Sequence, residues 1–137
     1  VNWRVVKSRY TELRADAGAL FPRVLNVPLV VATDADTEPR AYAYCTIDRP
    51  VRVGVAPKLA TAMRNRIDGV LRHEIGHAID ALYSAPESKL GGVSLPGTPE
   101  LRADAIAGAV WGSPIRYDAD AVQTIGVGGP RPAWLPQ

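Results

Sequence analysis

The sequence predicts an α+β fold, a small mixed or antiparallel sheet of about three strands packed on a central helix with a second helix alongside. Three observations carry this expectation. Short apolar runs with strand-like alternation fall between residues 29 and 55, a long amphipathic stretch occupies 65–83, and an alanine-rich stretch with a helix-start signal opens at Thr98-Pro99. A chain of 137 residues is one ordinary domain, long enough to bury a core without disulfides or a structural metal.

Taken in order, Leu13, Ala17, Leu20 and Phe21 recur at helical spacing from Ser8 to Leu20, and Pro22 stands where that helix would end. Leu29–Thr33 is short and apolar, bounded by Asn26-Val27-Pro28 and the Asp34-Ala35-Asp36 cluster, which predicts a buried strand. In Ala41–Ile47 the residues Tyr42, Tyr44 and Thr46 alternate with Ala43, Cys45 and Ile47. After the turn Asp48-Arg49-Pro50, Val51, Val53 and Val55 alternate with Arg52 and Gly54, so the two runs read as a hairpin. Pro57 opens a short helix through Met63. Asn65, with Asp68 three residues on, predicts the capped start of a helix reaching about Tyr83, with Ile67, Val70, Leu71, Ile75, Ala78, Ile79 and Leu82 as its apolar stripe. Ser84–Gly97, rich in proline and glycine, reads as a loop, and Glu100 to about Trp111 as the last helix. The organisation expected is one domain over residues 1–125 and a Pro/Gly-rich tail or linker over 126–137.

Composition narrows the function classes. The chain is 47% hydrophobic and 22% charged with a formal net charge of +2, too little to draw it to nucleic acid or a membrane surface. No apolar run approaches the roughly 20 residues that span a bilayer, and Val1-Asn2-Trp3-Arg4 has no signal-peptide pattern, so a soluble protein is expected. The single Cys45 excludes an intrachain disulfide and a multi-cysteine metal site, and a free thiol favours the cytoplasm slightly over secretion. A start at Val1 together with the proline-rich tail points to a piece of a longer polypeptide or assembly.

The chemistry lies in Leu71-Arg72-His73-Glu74-Ile75-Gly76-His77. Helix residues four apart are neighbours on one face, which lets the imidazoles of His73 and His77 converge on one ion. Glu74 sits roughly 100° round the helix, beside the pair, where its carboxylate reaches a metal-bound water without taking a ligand position. This is the His-Glu-x-x-His pattern of the zincins. Zinc lowers the pKa of bound water to roughly 7 and polarises a carbonyl, and an adjacent carboxylate supplies the base. Both histidines of the chain are in this motif. Gly76, inside an otherwise good helix at a cost of about 1 kcal/mol, implies that something approaches the backbone there.

A catalytic zinc takes three protein ligands. With no third histidine, the foremost candidate is Glu100 of Glu100-Leu101-Arg102-Ala103-Asp104, whose spacing also lets Asp104 accept a hydrogen bond from a ligand imidazole. The rivals are Asp104, Asp80 and Glu87. Asp80 is better suited to orienting a ligand or pairing with a basic side chain. A strand thiol such as Cys45 is ordinarily buried packing, with an inhibitory thiolate on the metal as the other possibility.

His-Glu-x-x-His followed on a later helix by Glu-x-x-x-Asp resembles the gluzincins, the thermolysin-like zinc peptidases, and most of all their small single-domain members, the minigluzincins. The resemblance covers about Ala41 to Trp111 and implies a zincin-like domain holding one zinc on His73, His77 and Glu100. It also implies Glu74 as general base and acid, Asp104 as the carboxylate behind the ligands, and hydrolysis of peptide bonds in a peptide or protein substrate. The strand Ala41–Cys45, with Ala43 and Tyr44, would be the edge that pairs with extended substrate. The chain lacks a second helical domain and the histidine that larger members direct at the transition state; Arg116 and Tyr117 are the candidates for that task. The second reading is a catalytically silent zinc-binding or peptide-binding module on the same scaffold, within a larger assembly.

Overall fold

A helix, α1, spans Trp3–Leu20, and its buried residues Val6, Tyr10, Leu13 and Ala17 recur every three or four positions. The stripe therefore extends one turn and more ahead of the expected start at Ser8, carried by Val6. The Tyr10 hydroxyl donates to the Val27 carbonyl at 2.7 Å, and Pro22 ends α1 by opening a 3-10 turn over Pro22–Asn26. This description comes from a computed structural model, which describes residues 3–31, 42–46, 50–84, 89–90, 93–94 and 99–111.

Three strands follow, β1 (Leu29–Val31), β2 (Ala43–Thr46) and β3 (Arg52–Val55). They lie in the order β1-β3-β2. The expected hairpin is present as the antiparallel pair β2–β3, with Ala43 opposite Val55 and Cys45 opposite Val53. Strand β1 pairs with β3 in parallel, Leu29 opposite Val53, so the sheet is mixed. Among the described strands, β2 stands at an edge. Alternation turns Ala43 and Cys45 to the side of the buried Val53 and Val55, and turns Tyr44 to the other side, where its ring lies across Gly54.

After a 3-10 turn over Pro57–Thr61, which replaces the short helix expected through Met63, the central helix α2 runs Arg64–Ile79. Its N-cap is Met63 with extended backbone and no capping side chain, not Asn65. The expected cap fails because the helix already begins at Arg64, which puts Asn65 inside it, and Asp68 is engaged elsewhere. Its carboxylate takes two bonds from the Arg9 guanidinium, at 2.8 and 3.0 Å, which ties α1 to α2. Asn65 itself only accepts from the Arg66 backbone N–H. The α-helical pattern gives way to a π-helical turn over Asp80–Ser84. Within the stretch expected to be loop, β4 (Lys89–Leu90) and β5 (Val93–Ser94) form a small antiparallel pair.

The last helix, α3, spans Pro99–Trp111, with Pro99 in the first turn, where a missing N–H costs nothing. Ala103, Ile106 and Ala107 are buried, as are Ile67, Val70, Leu71, Ile75, Ala78 and Ile79 of α2. Each large aliphatic side chain in this core contributes about 1.5–3 kcal/mol. Because α2 is packed against α1, the sheet and α3, its middle is wholly enclosed. That enclosure reaches His73 and Glu74, 0% and 2% exposed. No helix among the described residues is long and apolar enough to cross a membrane. The expected tail, 126–137, lies outside the described residues.

Candidate metal centre

The i,i+4 spacing on α2 brings His73 and His77 edge to face, with ring centroids 4.6 Å apart and planes at 89°. Glu100, from the first turn of α3, inserts its carboxylate between them. One oxygen lies 2.8 Å from His73 Nε2 and the other 3.1 Å from His77 Nε2. The three residues each offer a ligand atom, and these atoms lie within 4.8 Å of one another. Behind them, Asp104 Oδ1 meets His73 Nδ1 at 2.6 Å, with both side chains fully buried. The His73 ring is thus gripped at both nitrogens by carboxylates of one helix.

That grip depends on how closely α3 approaches α2. A Cβ built on Gly76 would fall 2.4 Å from the Ala103 carbonyl oxygen, inside any sustainable contact. Only a residue without a side chain fits here, which is what the glycine inside the helix implied. A second tie lies one turn further on, where Arg102 Nε donates to Asp80 Oδ2 at 2.9 Å, both side chains largely buried. Asp80 accordingly pairs with a basic side chain and is not among the clustered ligand atoms.

The electrostatics follow from these contacts. Burial is the largest influence on His73 and disfavours its charge. The hydrogen bonds to Asp104 and Glu100, with the charges of Glu74 and Asp104, together outweigh it and raise the pKa from 6.5 to about 9. An imidazole facing carboxylates at both nitrogens satisfies them only when doubly protonated. Hydrogen bonds from His73 and His77 hold the Glu100 carboxyl well below the usual carboxylate range. Burial pushes Glu74 upward, against the pull of His77 and His73. One of its oxygens, Oε2, is buried without a hydrogen-bond partner among the described residues.

A cleft of about 330 Å³ opens on this cluster. Ala43, Tyr44 and Cys45 of β2 form one wall, Glu74 and His77 of α2 the floor, and Pro99 and Glu100 the other wall. Cys45 is half-buried and lines this cleft, so it is not a sealed core thiol. Burial, with a contribution from the Glu74 charge, pushes its pKa up to about 12, which keeps it a neutral thiol.

No family model, curated protein or solved structure matches the chain. The donor set can be tested against a metal on its own geometry. Two imidazole Nε2 atoms and a carboxylate are the nitrogen and oxygen ligands that zinc accepts, and ligand atoms of a tetrahedral zinc stand roughly 3.3 Å apart. The separations of 2.8 and 3.1 Å, which run to the two different oxygens of Glu100, are somewhat shorter than that, the three ligand atoms all lie within 4.8 Å of one another, and Asp104 already occupies the Nδ1 position that fixes a ligand tautomer. The residues therefore fit a zinc ion.

The structure brings together five of the residues the sequence singled out: His73, Glu74, His77, Glu100 and Asp104. Glu87, Arg116 and Tyr117 lie outside the described residues. Tyr44 lines the cleft, but its ring is spent on Gly54. The expected pairing of Asp80 with a basic side chain is present, and what the sequence left open was its partner, Arg102. The place of Cys45 in the cleft went against the expectation of buried packing, and its one signal was a strand face shared with Ala43.

Proposed function

We propose that this chain is a zinc-dependent peptidase on a zincin-like scaffold of gluzincin type, hydrolysing peptide bonds in a peptide or protein substrate. The observation that carries the reading is the convergence of His73 Nε2, His77 Nε2 and the Glu100 carboxylate from two helices beside a buried carboxylate, Glu74, with an oxygen lacking a partner among the described residues. His73, His77 and Glu100 would hold one zinc, which when bound supplies a water of lowered pKa and polarises a carbonyl.

The remaining work falls to the chain. Glu74 stands beside the ligands on the cleft floor, and its raised pKa suits it to accept a proton from water and return it to the leaving amine. Asp104 keeps the His73 proton on Nδ1, leaving Nε2 free as a ligand. Strand β2, at the sheet edge and in the cleft wall, offers main-chain N–H and C=O groups to an extended substrate.

The test is zinc analysis of the purified chain beside His77→Ala and Glu74→Gln, followed by turnover on a mixed peptide library. The expectation is about one zinc per chain, lost in His77→Ala, and kept in Glu74→Gln with turnover reduced by roughly 10³-fold. Absence of zinc after reconstitution sinks the reading. Zinc without turnover in the wild type leaves the silent zinc-binding module instead.

A further inference from the structure

A second and larger pocket, about 690 Å³, lies along the same helix and strand as the cleft. Tyr42, Arg66, Asp68, Gly69 and Arg72 are among its lining residues. Two elements order it relative to the metal cluster. On the β2 side Tyr42 lines the pocket and Ala43 to Cys45 line the cleft; on α2, Arg66 to Arg72 line the pocket and Glu74 and His77 the cleft. The pocket thus follows the cleft along both elements, at the Tyr42 end of the edge strand.

Among its described lining residues the charge is one-sided, since the one acid there, Asp68, is neutralised by both bonds from Arg9. Arg66 is exposed and sits 5.3 Å from the centre of the Tyr42 ring, with Lys58 on the same ring at 4.7 Å. Arg72 lies 5.7 Å from the Trp111 ring, and its Nε is buried with no hydrogen-bond partner among the described residues. Gly69 stands in mid-helix, yet a Cβ added to it would meet nothing within 4 Å among the described residues. No packing contact among them explains this glycine. What it does is leave the pocket deeper.

We propose that this pocket binds a carboxylate of the substrate, an aspartate or glutamate side chain, between Arg66 and Arg72. The proposal rests on the peptidase reading. Helix rise spreads Arg72 to Arg66 over roughly 3–12 Å along the axis from Glu74, and an extended peptide advances about 3.3 Å per residue. The acidic residue therefore lies one to four positions from the scissile bond.

The experiment measures binding, by fluorescence anisotropy, of labelled alanine-based decapeptides to the zinc-loaded Glu74→Gln protein. A single glutamate, or glutamine as control, is scanned through amide-capped peptides, and one glutamate-free peptide carries a free C-terminal carboxylate. Glutamate at one position is expected to bind about tenfold tighter than glutamine there. Arg66→Gln should weaken that preference, and Gly69→Glu, which places a carboxylate in open space, should remove it. Equal binding of the glutamate and glutamine series overturns the proposal, as does a preference that survives Gly69→Glu. A gain confined to the free-acid peptide also overturns it, assigning the pocket to a chain terminus. The two readings fail separately: a glutamate preference without wild-type turnover keeps the pocket and removes the peptidase, and turnover without the preference does the reverse.

Discussion

Gly69 and Gly76 are seven residues apart on α2, two turns along one stripe of the helix, and their surroundings are opposite. At Gly76 an added Cβ falls 2.4 Å from the Ala103 backbone; at Gly69 it meets nothing within 4 Å among the described residues. Each glycine costs the helix about 1 kcal/mol relative to alanine. The first is explained by packing, since it lets α3 approach until Glu100 and Asp104 reach His73. The second is explained by space. Along one helix the stripe passes from a closed seam, where ligands are fixed, to an open pocket, where something can be received.

The comparison breaks most visibly at the seam. Gly76→Ala forces the Ala103 backbone to retreat by on the order of 1 Å, and α3 carries Glu100 and Asp104 with it. The expected loss is about 3 kcal/mol of stability in urea denaturation and on the order of 100-fold in zinc affinity by competitive titration. Unchanged values in both would mean that the seam does not set the ligand geometry.

The metal-free seam should also be sensitive to pH. His73 has a folded pKa of about 9 against an ordinary 6.5, so its protonated form favours the folded state. That contribution is full below about pH 6.5 and is lost as pH rises towards 9; it amounts to roughly 3 kcal/mol at most. Urea midpoints measured with a chelator should fall across this window. The increment from added zinc should grow over the same window, because ligand imidazoles must be unprotonated. A metal-free midpoint flat from pH 6.5 to 9 would show that His73 is not held by carboxylates at both nitrogens.

A smaller effect is expected at Asp104. Asp104→Asn keeps an oxygen for the His73 Nδ1–H but removes the charge behind the ligand, in a position where the other oxygen, Oδ2, is buried without a partner among the described residues. Zinc affinity should fall about 10–100-fold. An affinity equal to wild type would reduce Asp104 to a packing role.

These contrasts also mark what the sequence could disclose. Helical period alone places His73 beside His77 and Glu100 one turn from Asp104, and the cost of a glycine inside a helix announces a close neighbour at Gly76 without naming Ala103. What escaped notice depends on contacts between distant segments. Asn65 and Asp68 have the spacing of a capping pair, yet Arg9, fifty-nine residues from Asp68, claims the carboxylate. Nothing local in Leu29–Val31 distinguishes parallel from antiparallel pairing, because both are satisfied by a short apolar run. Arg66 and Arg72 read as ordinary solvated charges until Tyr42 and Trp111 are brought to them from the sheet and from α3.

The smallest expected effect has the opposite sign. Gly69→Ala adds a methyl group where no described residue obstructs it and removes the glycine penalty, so the chain should gain about 0.5–1 kcal/mol in urea denaturation. Paired with Gly76→Ala it gives a like-for-like test, the same substitution on the same helix stripe, stabilising at one end and destabilising at the other. A loss of stability at Gly69 would mean that the space above it is already filled in the folded chain, and the pocket would cease to be available to a substrate. A gain would leave Gly69 as a residue kept at a cost to the helix for the room it provides.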